Sequence, residues 1–475
     1  MKHLVWFRTD LRVRDNTALA EAAAAGGGVA GLYVISPEDW RAHDVAPCRV
    51  EFMLRALADL SHTLDRLNIP LLIRTAPARG DVPAAVLEAA RAAGSVCVHF
   101  NREYEVNESR RDERVAGRLR GAGIETKAYH DQAAMPPGSV MTLSGTPYTV
   151  FTPFKNAWLA KWKEQGGVPA RPAPSKQDRP ALRPDAVPAA LEGWSSPVPA
   201  SLWPGAERWA HERLERFCRE RIRGYKAERD FPAVDATSTL SPALAIGLLS
   251  PRQCLAAAVE ANNGQIAGGN EGAAHWISEV IWREFYKHIL VHFPRVCMNR
   301  AFKPATDRLP WRYEQAEFDA WRAGRTGYPI VDAGMRQLAA TGWMHNRVRM
   351  VTAMFLTKDL FIDWRWGERH FMQSLVDGDF SQNNGGWQWS SSTGTDAAPY
   401  FRIFNPASQS QRYDPKGEYI KRWVPELRDL DEHSVHDPSE LPVLLRSKLD
   451  YPEPIVDHAK ARDRVLAAFK AIGTG

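Results

Sequence analysis

A chain of 475 residues with 44% hydrophobic and 25% charged side chains can bury a large core and reads as two or three globular domains. Its 61 basic against 56 acidic residues, a net charge of +5, permit a polyanionic partner but are too even to require one. Five cysteines at scattered positions exclude paired spacing for zinc, iron–sulfur or a disulfide framework. Early charge and the lack of an apolar run of about 20 residues exclude a signal peptide and a membrane span, so the expectation is a soluble cytoplasmic protein.

In chain order, HLVWF, VAGLYVI, PLLIR and VCVHF are apolar runs of the kind buried parallel strands need, with ETKAYH a weaker fifth. Between them lie helical patterns, clearest over Arg49–Leu67 and Val82–Ala93, while Gly26 to Gly28 should end a helix. The first 131 residues therefore predict a doubly wound, Rossmann-like α/β domain with a parallel sheet. RTDLRVRDN follows the first strand where a nicotinamide dinucleotide site would need G-x-G-x-x-G, so that site is not expected. Residues 132–205 are expected to be an interdomain linker, because nine prolines between Lys163 and Gly205 favour extended chain. Over 206–475 helical periodicity dominates, and Ser241-Pro242 and Ser250-Pro251 read as capped helix starts.

Three segments of this helical half carry candidate chemistry. Thr237, Ser238, Thr239, Leu240 and Ser241 form a turn feeding a helix start, read either as an ordinary cap or as an anion cradle. On the helix HWISEVIWREFYKHIL, Trp276, Glu279 and Arg283 share one face with Trp282 and Tyr286 close by; Glu279 and Arg283 make either a solvated i, i+4 pair or part of an aromatic cleft. The third segment gathers Asn346, Arg347, Arg349, Asp377, Asp379, Asn383 and Asn384 among tryptophans. These polar groups must satisfy one another or hold a polar ligand with an aromatic body. In NNGGWQWSSSTGTD a strand would put Trp387 and Trp389 on one face, but the flanking glycines and serines predict turns. Seventeen tryptophans in all, many beside Asn, Arg, Asp or Glu, are more than packing requires.

LVWFRTDLRVRDN, IWREFYKHI, RTGYPIVDAGMRQLAATGWMHNRVRM and DGDFSQNNGGWQWSSSTGTDAAPYFRIFNP resemble the photolyase and cryptochrome family, and within it the bacterial class I cyclobutane pyrimidine dimer photolyases. The likeness runs almost end to end and implies an α/β antenna domain, a long connection and a helical FAD domain. It places Tyr225, Thr237, Ser238, Thr239, Leu240, Ser241, Trp276, Asn346, Arg349, Asp377, Gly378, Asp379 and Asn383 on FAD, with Arg349 expected to pair with Asp377. Thr239 departs from the basic residue common at its position. For damaged DNA, single- or double-stranded, the resemblance assigns Trp282 and Trp389 as walls against a flipped dimer. Glu279 would be its hydrogen-bonding carboxylate, Met350 a packing contact, and Asn346 a further contact. Arg229, Arg283, Arg347 and Arg402 would meet phosphates or the dimer's surroundings. Light-excited reduced FAD would donate an electron that splits the dimer, with no metal required. Trp387, Trp364 and Trp311 would relay charge between flavin and surface.

The resemblance also assigns His43, Asn107 and Glu108 to an antenna, 5,10-methenyltetrahydrofolate, although Met298 stands where a folate-binding lysine is common; a deazaflavin or no antenna are the alternatives. A signalling cryptochrome is the competing function. Many plant-type members carry an acid at the place of Asn383 and a long tail, neither of which this chain has. The histidine of (6-4) photolyases is replaced here by Met350. A flavin-dependent electron-transfer protein would explain the tryptophans but not Glu279, Trp282 and Arg283. A monomer is expected.

Overall fold

The computed structural model describes residues 1–473. The chain divides into two compact units. The first comprises Met1–Arg223, Ser238–Pro294 and Val376–Asp379; the second comprises Gly224–Thr237, Arg295–Leu375 and the chain from Phe380 onward.

In the first unit, strands β1 (His3–Phe7), β2 (Val29–Ile35), β3 (Leu71–Thr75), β4 (Cys97–Asn101) and β5 (Glu125–Tyr129) form one parallel sheet in the order β3-β2-β1-β4-β5. All five expected strands are present: β1, β2 and β4 are fully buried and written as apolar runs, whereas the edge strands β3 and β5 are partly exposed. The connecting helices are α1 (Thr17–Ala24), α2 (Pro37–Ala42), α3 (Pro47–Arg66), α4 (Val82–Ala92) and α5 (Val106–Gly121). Leu4, Trp6, Leu32, Val98 and Phe100 pack on one side of the sheet with Val86, Leu87, Val115 and Leu119 of α4 and α5. The alternate residues face the other way. There Gly31 lets β2 approach Phe7 and Leu64 of α3: an added Cβ would lie 2.9 Å from a Leu71 methyl and 3.1 Å from the Phe7 ring.

The stretch expected as linker contains a helix, α6 (Phe151–Glu164), followed by a long span without strands or α-helices. α6 is pinned by Glu284, whose fully buried carboxylate accepts from Trp158 Nε1 at 2.7 Å and from the backbone N–H groups of Ala134 and Met135 at 2.5 and 3.1 Å. The rest of this unit is helical: α7 (Glu207–Glu220), α9 (Ser241–Ile246), α10 (Pro251–Ala261) and α11 (Glu271–His292), with α8 (Tyr225–Glu228) belonging to the second unit. Ser250 caps α10 in a reciprocal capping box with Gln253, as its Ser-Pro pair predicts. Ser241 does not cap α9. Leu240 occupies the cap position without a side-chain bond, because Thr239, at φ 50, has already turned the chain.

The second unit is built from α12 (Gln315–Arg322), α13 (Pro329–Thr341), α14 (Asn346–Met354), α15 (Trp364–Met372), α16 (Phe380–Ser390), α17 (Pro406–Tyr413), α18 (Glu418–Trp423), α19 (Val443–Arg446) and α20 (His458–Ala471). A single core joins Trp311, Trp321, Val348, Phe355, Trp364, Phe371, Trp387 and Tyr419. Here the turn reading of the Trp387 segment is corrected, since Asn383 to Trp389 lie within α16. Tertiary contacts override the local glycine signal. Gln388 bonds Asn384 at 2.8 Å one turn back and accepts from Phe302 N at 2.7 Å, while Trp387 fills a notch over Gly367. A Cβ at Gly367 would lie 2.1 Å from the Trp387 ring. No helix among the described residues is long and apolar enough to cross a membrane.

Candidate functional site

In the first unit, α11 presents the aromatic and charged face that its spacing predicts. Trp276 is buried against Phe217, with ring centroids 5.2 Å apart. Glu279 lies 3.4 Å from His275 one turn earlier. Trp282 is half-buried and stacks on Phe151 of α6, with centroids 3.7 Å apart and planes within 11°. Arg283 reaches Asp379 Oδ2 at 2.5 Å and the Leu244 carbonyl at 3.2 Å; Lys287, one turn further on, reaches the same carboxylate oxygen at 3.3 Å. A buried carboxylate needs such compensation, and two cations from one helix face provide it. Asp377 and Asp379 are both buried and bracket Gly378, whose carbonyl accepts from the Arg49 guanidinium. The Ser238 carbonyl accepts from Arg213 Nε at 2.8 Å, fixing the turn that Thr239 makes before α9.

The antenna candidates lie together in this unit. His43 Nε2 is 3.1 Å from Asn107 Nδ2, and Arg79 reaches His43 Nε2 at 2.6 Å, Glu108 Oε1 at 3.2 Å and Asp39 Oδ1 at 2.8 Å. Hydrogen bonding to Asp39 raises the His43 pKa, and burial raises that of Glu108. Arg79 and Asp39 come from segments that carry no local sequence signal for such a site.

In the second unit, Asn383 is buried, and its Nδ2 donates to the Glu368 carbonyl at 2.9 Å and to Glu368 Oε1 at 3.4 Å. With both contacts made by the amide nitrogen, Oδ1 remains as an acceptor. Asn384 Nδ2, buried beside it, has no hydrogen-bond partner among the described residues. Asn346 is exposed at the start of α14, with its amide 3.9 Å from Met350 Sδ. Arg349 Nε donates to the Met344 carbonyl at 2.8 Å. Arg347 pairs with Asp230 at 2.9 Å and lies over Tyr413; Arg229 faces the same carboxylate at 3.7 Å and lies over Tyr225. Arg402 is exposed and Trp389 half-buried.

The three relay candidates belong to one core. α16, which carries Trp387, packs on α15, which carries Trp364, and a parallel bridge between Arg312 and Ile362 ties the Trp311 segment to the approach to α15. Trp364 is 1% exposed with the Arg365 guanidinium over its ring, and Trp311 is 7% exposed against Phe361. The indole N–H groups of Trp387 and Trp311 make no hydrogen bond among the described residues.

Comparison with known proteins gives two matching families, the FAD binding domain of DNA photolyase over residues 276–471 and DNA photolyase over residues 3–176. The chain is 46% identical to the deoxyribodipyrimidine photo-lyase of Escherichia coli strain K12, over 100% of this chain and 99% of that one. Its structure is similar to a bacterial class III photolyase from Agrobacterium tumefaciens, with TM-score 0.89, 35% identity and coverage of 100% and 98%. It is also similar to the cryptochrome of Synechocystis sp. PCC6803, with TM-score 0.86, 28% identity and coverage of 98% and 99%.

Proposed function

The chain belongs to the DNA photolyase family and is a light-driven DNA repair enzyme with FAD as cofactor; on that premise we propose that its substrate is a cyclobutane pyrimidine dimer turned out of single- or double-stranded DNA. The Asn383–Glu368 pair carries this reading. A neutral amide oxygen held in place by Glu368 suits a reduced flavin, whose ring edge offers an N–H, and it has no proton to give.

The residues present fit FAD. A buried amide donor at Asn384 without a protein partner suits a polar ligand. Thr237, Ser238, Thr239, Leu240 and Ser241 supply hydroxyl and N–H donors for a pyrophosphate. Tyr225 and Trp276 supply flat apolar surface, and Asn346, Arg349, Asp377, Gly378 and Asp379 polar contacts. When bound, reduced and excited by light, FAD supplies the electron that opens the cyclobutane ring. Trp282 and Trp389 wall the dimer, Met350 packs on it, and Glu279 accepts hydrogen bonds from its bases. A dimer stacks and pairs poorly, so extruding it costs less than extruding intact bases, which gives selectivity. Arg402 is assigned to backbone phosphate, Arg229 and Arg347 share their charge with Asp230, and Arg283 acts by holding Asp379. Trp387, Trp364 and Trp311 pass electrons inward when the cofactor has become oxidised.

His43, Asn107 and Glu108, with Arg79 and Asp39, are proposed to hold 5,10-methenyltetrahydrofolate as antenna. We further propose that the protein works as a cytoplasmic monomer, to which its five free cysteines conform. Binding of a dimer-containing duplex, followed in the dark and then under blue light with the reduced protein, tests the substrate reading. The expected result is dark retention at least ~10²-fold tighter than on intact duplex, with release on illumination. Retention unchanged by light would contradict it.

A further inference from the structure

The sheet face turned away from the Leu4, Trp6, Val98 and Phe100 core carries a cluster outside this machinery. β1 and β4 run side by side in parallel, with His3 opposite Cys97 and Val5 opposite His99. Cys97 and His99, two apart on one strand, point to the same side, and His3 beside Cys97 joins them. All three are buried, and one ligating atom from each lies within 4.8 Å of the other two. His3 Nδ1 is 2.9 Å from His99 Nε2, while His99 Nδ1 meets Tyr129 Oη at 3.0 Å under a stacked phenol ring.

A hydrogen-bonded histidine pair could be core filling. Two imidazoles and a thiol, however, are a costly way to fill interior strand positions that valine or isoleucine would occupy. A Cys/His₂ donor set is the borderline-soft chemistry that zinc prefers. Tyr129 supplies the outer contact that orients a ligating histidine, holding Nδ1 so that Nε2 faces the cluster.

We propose that His3, Cys97 and His99 bind one zinc-class divalent ion that clips β1 to β4. On binding, the Cys97 thiol releases its proton to solvent. The proton shared between the two rings moves to the far nitrogen of the ring that carries it, and the His3–His99 hydrogen bond is replaced by two nitrogen–metal bonds. Bonds of ~2.0–2.1 Å in a tetrahedron set nitrogens about 3.3 Å apart, so the rings need part by only a few tenths of an ångström. His3 and Cys97 begin their strands, which places the cluster at the sheet rim beside exposed Val96. Glu21 and Glu125 favour a cation there, and Lys2 and Lys127 oppose it.

Cobalt titration of the chelator-treated, FAD-loaded full chain in the dark tests this, read at wavelengths beyond oxidised flavin absorption. One equivalent of Co²⁺ should give tetrahedral ligand-field bands that Zn²⁺ abolishes. Cys97→Ser and His3→Gln should each weaken binding at least tenfold, and Tyr129→Phe should keep the bands with affinity lowered about 10- to 100-fold. Absence of the bands in the parent overturns the site, as does an unchanged titration in His3→Gln. Should Cys97→Ser fail to fold, the parent and His3→Gln titrations decide.

Discussion

The side-chain nitrogen of Asn383 is held twice by Glu368, at 2.9 Å from its backbone carbonyl and 3.4 Å from its carboxylate. The amide is thereby fixed with its nitrogen toward two acceptors. Asn383→Asp would turn an ionisable oxygen toward both. The new carboxyl should have a raised pKa in the folded state, so the folded chain takes up a proton that the unfolded chain has released. Stability relative to the parent should then fall as pH rises from about 5 to 8, by about 1–3 kcal/mol. Urea unfolding of both proteins at the two pH values reads the difference. An equal difference at both would show that Glu368 does not orient this residue.

Arg229 and Arg347 share Asp230, whereas Arg402 is exposed. A guanidinium already neutralised by a carboxylate releases few counterions when it meets DNA. Arg402→Ala should therefore lower the salt slope of binding to damaged DNA by about 1, and Arg347→Ala by less. Measured slopes in the reverse order would move the phosphate contact to Arg347.

The Arg79 guanidinium joins Asp39, His43 and Glu108 into one polar cluster. Removing Glu108 takes out a half-buried acceptor without touching the residues proposed for FAD. In Glu108→Ala, near-ultraviolet absorbance from added folate should be lost while repair under saturating light persists. Retention of the folate would place the antenna elsewhere.

Much of the sheet was legible because each buried parallel strand is a continuous apolar run, and even weak β5 is in place. Placement along one helix was legible too, since α11 carries Trp276, Glu279, Trp282 and Arg283 at the spacing the segment predicts. What the sequence hid is held by remote partners: Glu368 for Asn383, Phe151 for Trp282, Asp230 for two arginines, Lys287 for Asp379. α16 was hidden for the same reason. Gly385 and Gly386 signal a turn locally, and only packing against Gly367 and bonding through Gln388 make the segment a helix. The Cys97-x-His99 spacing gains meaning only once β1 brings His3 beside it.

Trp364 sits 1% exposed at the first turn of α15, in the same core as Trp387 and Trp311. Phenylalanine keeps an apolar ring there but is much harder to oxidise. Trp364→Phe should fold, bind FAD and repair dimers normally once chemically reduced, yet photoreduce at least tenfold more slowly from the oxidised state with external donor present. Equal photoreduction would remove Trp364 from the relay.

The activity proposed for this enzyme is light-driven splitting of cyclobutane dimers. Its most direct measurement is the recovery of intact thymines in an oligonucleotide carrying one cyclobutane dimer, treated with the chemically reduced, FAD-loaded protein under blue light and in the dark. A parallel oligonucleotide carries one (6-4) photoproduct. Repeated turnover is expected on the cyclobutane dimer in the light, with none in the dark and none on the (6-4) lesion. Fully reduced, FAD-loaded protein that leaves the cyclobutane dimer intact under light would contradict it.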